Sequence, residues 1–212
     1  MSMQLSRYAP QSLRESAIYQ RLSREYRTRR LRKQIADTRP LNVVIGAGPT
    51  LFQGWVHTDR AILDITSPED WRNLFAPESI DRLLAEHVLE HLTEADCRIA
   101  VIEAGRYLKR GGLFRIAVPD GYRRDPAYVA EAAPPNDGHQ VFFSVDTLRP
   151  LVESLGFHVT LLEYFDADEQ FHAEPWDEGE GFIKRSIRFD TQVNFKRSGM
   201  FYTSLIVDAR KP

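Results

Sequence analysis

Apolar residues along this chain gather in short runs that end in glycine, proline or an acidic residue, and segments of helical spacing lie between them. Leu41-Asn42-Val43-Val44-Ile45 runs into Gly46-Ala47-Gly48-Pro49, the pattern of a buried strand meeting a glycine turn. Trp55 to Asp59 predicts a second strand and Ala61 to Asp64 a short third one. Ile80 to Ala85 predicts a fourth, followed by a helix to about Leu108. Lys109-Arg110-Gly111-Gly112 forms a turn, and Leu113 to Val118 predicts a fifth strand stopped by Pro119. Ser144 caps a helix to about Leu155, which Gly156 ends. Phe157 to Tyr164 and Tyr202 to Ala209 are the last two strands. Strands alternating with helices in this order predict an α/β fold with a mostly parallel sheet and helices on both faces.

Upstream, Ser12 is placed to cap a helix to about Ala36, along which Leu13, Ala17, Ile18, Leu22, Tyr26 and Leu31 fall at helical spacing. Residues 1–38 therefore read as a helical extension and residues 39–212 as the domain. The extension is basic: Arg7, Arg14, Arg21, Arg24, Arg27, Arg29, Arg30, Arg32 and Lys33 stand against Glu15, Glu25 and Asp37. The formal net charge of −2 thus hides an acidic body. Such an arm suits an anionic partner, whether a phosphate-bearing substrate, a nucleic acid or a membrane surface. It equally suits a solvated helix whose arginine stems cover apolar surface.

At 212 residues the chain is long enough for one full α/β domain. The single cysteine, Cys97, excludes an internal disulfide and a multi-thiolate metal site. No apolar run approaches the roughly 18 residues of a membrane span. Met1 to Pro10 lacks the apolar core of a secretory signal, so a cytoplasmic protein is expected.

Candidate chemistry concentrates after the first strand. Glycines at a strand end let backbone N–H groups approach a ligand closely. An acidic residue ending the next strand, here Asp59, can accept two hydrogen bonds from a ribose diol, or can simply form a turn. A dinucleotide fingerprint needs a third glycine, where Thr50 and Leu51 stand, and an acid about twenty residues on. Asp59 comes too early, which disfavours a nicotinamide-dependent oxidoreductase and favours a nucleoside without a diphosphate.

These residues, in order, resemble a branch of the class I S-adenosylmethionine-dependent methyltransferases often associated with glycan and cell-envelope biosynthesis. The resemblance rests on Gly46-Ala47-Gly48-Pro49-Thr50, Gly54 to Asp59, Leu63-Asp64-Ile65 and Glu86-His87-Val88-Leu89-Glu90-His91-Leu92. Arg106 to Gly112, Val118-Pro119-Asp120, Gly138 to Phe143 and Ser204 to Ala209 extend it. It implies a Rossmann-like methyltransferase fold with a seven-stranded sheet, and S-adenosylmethionine as cofactor. Gly46, Ala47 and Gly48 would pass under the methionine part, Asp59 would hold the ribose, Asp64 and Ile65 would flank the adenine, and Glu86 and His87 would lie beside the sulfonium. The sequence departs from the family pattern at Val44, where an acidic residue often stands, and in the absent third glycine.

His87-Val88-Leu89-Glu90-His91 also matches the inverted zinc-peptidase pattern H-x-x-E-H. That motif belongs inside a helix, whereas His87 directly follows a predicted strand, so no metal is expected. For a hydroxyl acceptor, His87 or His139 would be the proton acceptor, with Asp120 or Tyr122 as secondary candidates. The expected acceptor is a small molecule or glycan, with a saccharide or lipid-linked envelope precursor as first guess. Phe171, His172 and Trp176 could stack on such a substrate or anchor their segment to the body. The alternatives are an RNA-binding or RNA-modifying protein that uses the basic arm, and a non-catalytic binding protein of the same fold.

Overall fold

The computed structural model of the chain describes residues 17–48, 52–189 and 203–212. The expected cap Ser12, the third-glycine positions Thr50 and Leu51, and Tyr202 lie outside the described residues. Helix α1 is Ala17–Asp37, followed by strand β1 (Asn42–Ile45) and strand β2 (Val56–His57). Then come α2 (Pro68–Leu74), β3 (Ile80–Glu86), α3 (Glu94–Tyr107), β4 (Leu108–Pro119), α4 (Pro126–Ala132) and α5 (Val145–Glu153). The chain closes with β5 (His158–Phe165), β6 (Phe171–Ala173) and β7 (Ser204–Arg210).

The strands form one seven-stranded sheet in the order β2-β1-β3-β4-β7-β5-β6. The α/β class and the seven strands agree with the sequence expectation, but only half of the sheet is parallel. β2, β1, β3 and β4 run parallel, whereas β7 is antiparallel to β4 and β5, and β6 is antiparallel to β5. Ala61 to Asp64, expected as a strand, is a turn: Ile62 and Leu63 N–H both bond the Asp59 carbonyl at 2.9 Å, and Asp59 Oδ1 accepts from Ala61 N. The aspartate offers the backbone a local partner that outcompetes pairing with a neighbouring strand. The seventh strand is instead β6, joined to β5 as a hairpin. Lys109 to Gly112, expected as a turn, lies inside β4 as an irregularity where the register shifts from Ile80↔Leu108 to Arg82↔Leu113.

Side chains alternate across the sheet. Val43, Ile45, Leu83, Ala85, Phe114, Ile116 and Val207 share a core with Leu31, Trp71, Val101 and Leu148 of α1, α2, α3 and α5. Val44, Leu84, Ala117 and Ile206 point to the opposite face, where they meet Ile183, Phe52, Trp55 and Trp176. Among the described residues, that second face is covered by irregular chain rather than by α-helices.

Buried charges hold this cover down. Arg115, 0% exposed, donates to Asp208 and to the carbonyls of Asp177 and Gly181, and stacks over the Trp176 ring. Glu163 accepts from Trp176 Nε1, Ser186 Oγ and Ile187 N. Trp176 is thereby an anchor. His172 bonds Asp166 at 2.7 Å and stacks on Tyr164, and Phe171 packs on Phe165, so these two also fix their own hairpin.

Helix α1 docks on the domain through contacts at Arg24, Leu31 and Arg32. Leu31 is buried, Arg24 pairs with Asp70 at 2.7 Å, and Arg32 Nε donates to the Asn73 carbonyl. Leu22 and Tyr26, expected on the buried stripe, are 59% and 52% exposed. No described helix is long and apolar enough to cross a membrane.

Candidate active site

The strand order reverses direction at β1: the chain leaves β1 for β2 on one side and returns to β3 on the other. Open α/β sheets bind ligands beyond the carboxyl ends of the strands at such a point. The residues found there are Gly46 after β1 and Glu86 and His87 at the end of β3.

The turn after β1 is tied to β2 by Thr58, whose N–H and Oγ1 both donate to the Val44 carbonyl, and by Ala47 N, which donates to the Thr58 carbonyl at 3.0 Å. Gly46 has φ +63°, and a Cβ there would lie 2.7 Å from Val88 Cγ2, so backbone conformation and close packing both demand glycine. Gly48, at φ +53°, has no atom of the described residues within 4 Å of where a Cβ would sit.

At the end of β3 the two neighbours diverge. Glu86 accepts backbone N–H groups from Arg185 at 2.7 Å and Lys184 at 3.2 Å, which draws that distant segment across the sheet end. His87 takes the left-handed conformation, φ +54°, uncommon outside glycine although histidine is among the residues that adopt it more often, and one that clusters at functional sites. Its N–H bonds the Ala117 carbonyl, its Nε2 lies 2.8 Å from Ser204 Oγ, and its Nδ1 lies 3.1 Å from Glu90 Oε1. Burial, reinforced by the Arg185 charge, pushes the His87 pKa well below the usual imidazole range.

Two cavities lie here. One, of about 300 Å³, is lined by Gly46, Ala47, Gly48, Glu86, His87 and Arg185, among others. The other, of about 590 Å³, is lined by Gly46, Asp64, Ile65, His87, His91 and Gln140, among others. They share Ile45, Gly46 and His87. Sites for small ligands commonly span about 300–1,000 Å³.

Gly46, Ala47, Gly48, Asp64, Ile65, Glu86 and His87 are therefore brought together. Asp59 is exposed and lines neither cavity; its Oδ1 holds the turn at Ala61. Burial works to raise the Asp64 pKa, but hydrogen bonds from the Thr66 hydroxyl and N–H outweigh it and leave the carboxyl below its ordinary value. Asp120 and His139 line neither cavity. Asp120 is buried, accepts N–H groups from Tyr122 and Phe165, and is pushed up to about 6 by burial despite them. Tyr122 Oη donates to Asp146. Lys184 and Arg185 were not anticipated, because nothing in their local sequence says that Glu86 captures them.

No protein-family model matches the sequence, and no curated protein does. Solved structures align with most of the chain at low identity. A SAM-dependent methyltransferase from Archaeoglobus fulgidus is similar at 15% identity and a TM-score of 0.49, over 89% of this chain and 94% of that one. A SAM-dependent methyltransferase from Thermotoga maritima, described as a possible histamine N-methyltransferase, aligns at 17% identity and a TM-score of 0.48, over 94% and 97%. The YcgJ protein of Bacillus subtilis aligns at 14% identity and a TM-score of 0.44, over 88% and 98%. Identities this low, with TM-scores below 0.5, leave the functional reading to the chain's own residues.

Proposed function

We propose that this chain is an S-adenosylmethionine-dependent methyltransferase that takes its cofactor across Gly46. The observation that carries the reading is that two cavities of ligand size share Gly46 and His87 in their linings, beside β1, where the strand order reverses between β2 and β3. The smaller cavity suits the amino-acid tail: the turn at Gly46 to Gly48 forms one wall, and Lys184 and Arg185 supply positive charge opposite a carboxylate. The larger cavity suits the nucleoside, with Ile65 apolar against a base and Asp64 beside it. Asp59, the residue expected to hold the ribose, lines neither cavity, so the ribose contact is left unassigned.

Bound S-adenosylmethionine supplies an electrophilic methyl group that an acceptor atom displaces in line. The protein's part is to hold acceptor and cofactor in register, which is worth roughly 7–11 kcal/mol of barrier. Of the four proton-acceptor candidates, His87 alone lines both cavities, and we assign it to the hydroxyl of a sugar-like or lipid-linked acceptor.

Calorimetric titration with S-adenosylmethionine and S-adenosylhomocysteine tests the cofactor claim without needing the acceptor. One site per chain is expected, weakened about tenfold or more by replacing both Lys184 and Arg185 with alanine, roughly the loss of one charge-assisted contact. Absence of heat with either ligand, from protein shown to be folded, would overturn the reading.

A further inference from the structure

Outside the proposed cofactor contacts, one buried group stands out chemically. Glu90 is 0% exposed, yet neither of its carboxylate oxygens accepts a hydrogen bond from another described residue. The nearest candidate, His87 Nδ1, lies 3.1 Å from Oε1, a contact that is an ion pair only when the imidazole is protonated and that is not a hydrogen bond. A buried carboxylate without partners is costly, and such groups ordinarily neutralise, pair or coordinate a metal.

Two imidazoles surround it. His91 follows directly in sequence, and His139 arrives from the loop before α5, with its ring centroid 4.8 Å from that of His91 and the planes at 70°. One ligand atom from each of Glu90, His91 and His139 lies within 4.8 Å of the others. His139 is 4% exposed, and its Nδ1 lies 2.7 Å from the Ala132 carbonyl. A carbonyl oxygen can only accept, so Nδ1 is the donor of this bond and Nε2 is the nitrogen left to face a ligand. A backbone carbonyl orienting a histidine in this way is the usual support of a metal ligand. The two segments are also laced together: Gln140 N and Val141 N donate to the Glu90 carbonyl at 2.7 and 3.2 Å, and Gln140 Nε2 donates to the His91 carbonyl at 2.7 Å.

We propose that Glu90, His91 and His139 form a binding site for a divalent transition metal of the zinc type. Two imidazoles and one carboxylate are the donor set of open, three-ligand zinc centres, and the nitrogen donors disfavour magnesium and calcium. Ligand atoms around tetrahedral zinc stand roughly 3.4 Å apart. Closing from 4.8 Å therefore takes small side-chain rotations, chiefly of His91, the most accessible of the three. Because His91 also lines the larger cavity, the metal's fourth position would open toward it. Two of the three fixed positions of H-x-x-E-H are thus used: Glu90 and His91 contribute, His87 is engaged with Ser204, and the third ligand comes from 48 positions further on, at His139. Ligation removes His139 from the proton-acceptor candidates. This inference stands apart from the methyltransferase reading, since a metal can bind whether or not the cofactor does.

The test uses the full chain, stripped with a chelator and titrated with zinc, then with cobalt as a spectroscopic probe. Wild type is expected to take up one zinc per chain, to gain thermal stability with zinc, and to give the intense visible bands of tetrahedral cobalt. His91→Ala, which removes the least buried ligand and leaves the core intact, is expected to bind about 100-fold more weakly and to lose the cobalt bands; His139→Gln should do the same. His172→Gln, outside the cluster, should bind as wild type does. Substoichiometric zinc, pale octahedral cobalt, or affinity unchanged in both ligand variants would overturn the proposal. So would a Glu90→Gln protein that is more stable than wild type while wild type shows no response to zinc, for Glu90 would then be a neutral buried acid.

Discussion

The Arg115 guanidinium, wholly buried against the sheet, donates Nε and Nη2 to the two carboxylate oxygens of Asp208, at 2.7 and 2.9 Å. Its remaining nitrogen bonds the carbonyls of Asp177 and Gly181 at 2.7 and 2.6 Å. One side chain thus joins β4 to β7 and fastens the irregular cover to the sheet. Removing one member of a buried pair strands the other charge, at a cost of about 3–5 kcal/mol. Arg115→Met is therefore expected to lose that much in urea unfolding and to open the chain near Gly181 to limited proteolysis. The Arg115→Met/Asp208→Leu double variant should recover much of the loss, because no stranded charge remains. A single variant within 1 kcal/mol of wild type in unfolding free energy would show that the pair does not hold the cover.

Gly46 and Gly48 both have positive φ but differ in their surroundings. Alanine at Gly48 meets only the backbone cost, about 1–2 kcal/mol. Alanine at Gly46 meets that cost and also drives into Val88. Gly46→Ala should therefore be the more destabilising, and adding Val88→Ala should narrow the gap between the two. Equal melting temperatures for the single variants would contradict the packing described here.

Asp81 joins the entry of β1 to that of β4. Burial works to raise its pKa, but Lys109 Nζ at 2.7 Å and Leu41 N at 2.8 Å outweigh it and hold the carboxyl below its ordinary value. A depressed acid stabilises the fold above its unfolded pKa, near 4, and that contribution is lost as pH falls through the folded value. Asp81→Asn is expected to be about 1–2 kcal/mol less stable than wild type at pH 7, with Lys109 partly exposed and correspondingly discounted. The two proteins should converge as pH falls through the depressed folded pKa of Asp81. A difference independent of pH would exclude the ionised form as the source.

Along α1, Leu31 is 6% exposed and Leu22 59%. Leu31→Ala is expected to cost about 2–4 kcal/mol and Leu22→Ala less than about 0.5 kcal/mol, measured by chemical unfolding. Comparable losses at both positions would mean that the helix packs along its whole length.

Much of the local structure was legible before the fold was known. The runs at Val43 to Ile45, Ile80 to Ala85, Leu113 to Val118 and Leu205 to Ala209 became buried strands, and the Gly46 turn sits where the apolar run stops. Two short helices were passed over although Ser67-Pro68 and Asp125-Pro126 carry a cap followed by a first-turn proline. The run Ala61 to Asp64 misled because apolar content alone cannot report that Asp59 will seize the following N–H groups. Of the site, Gly46, Glu86 and His87 could be placed, since a strand end is local information. Lys184, Arg185 and the pairing of Glu90 with His139 could not, since no short-range pattern links residues that far apart.

Order of residues therefore settled the α/β class, the extent of most strands and the glycine bend, all of which follow from spacing and backbone sterics over a few positions. Folding settled which strands run antiparallel, what covers the second face of the sheet, and which histidines gather around Glu90. Those outcomes depend on charges that are tolerable in the interior only when partners from remote segments arrive. Their arrival is a property of the closed three-dimensional packing and of no single stretch of chain.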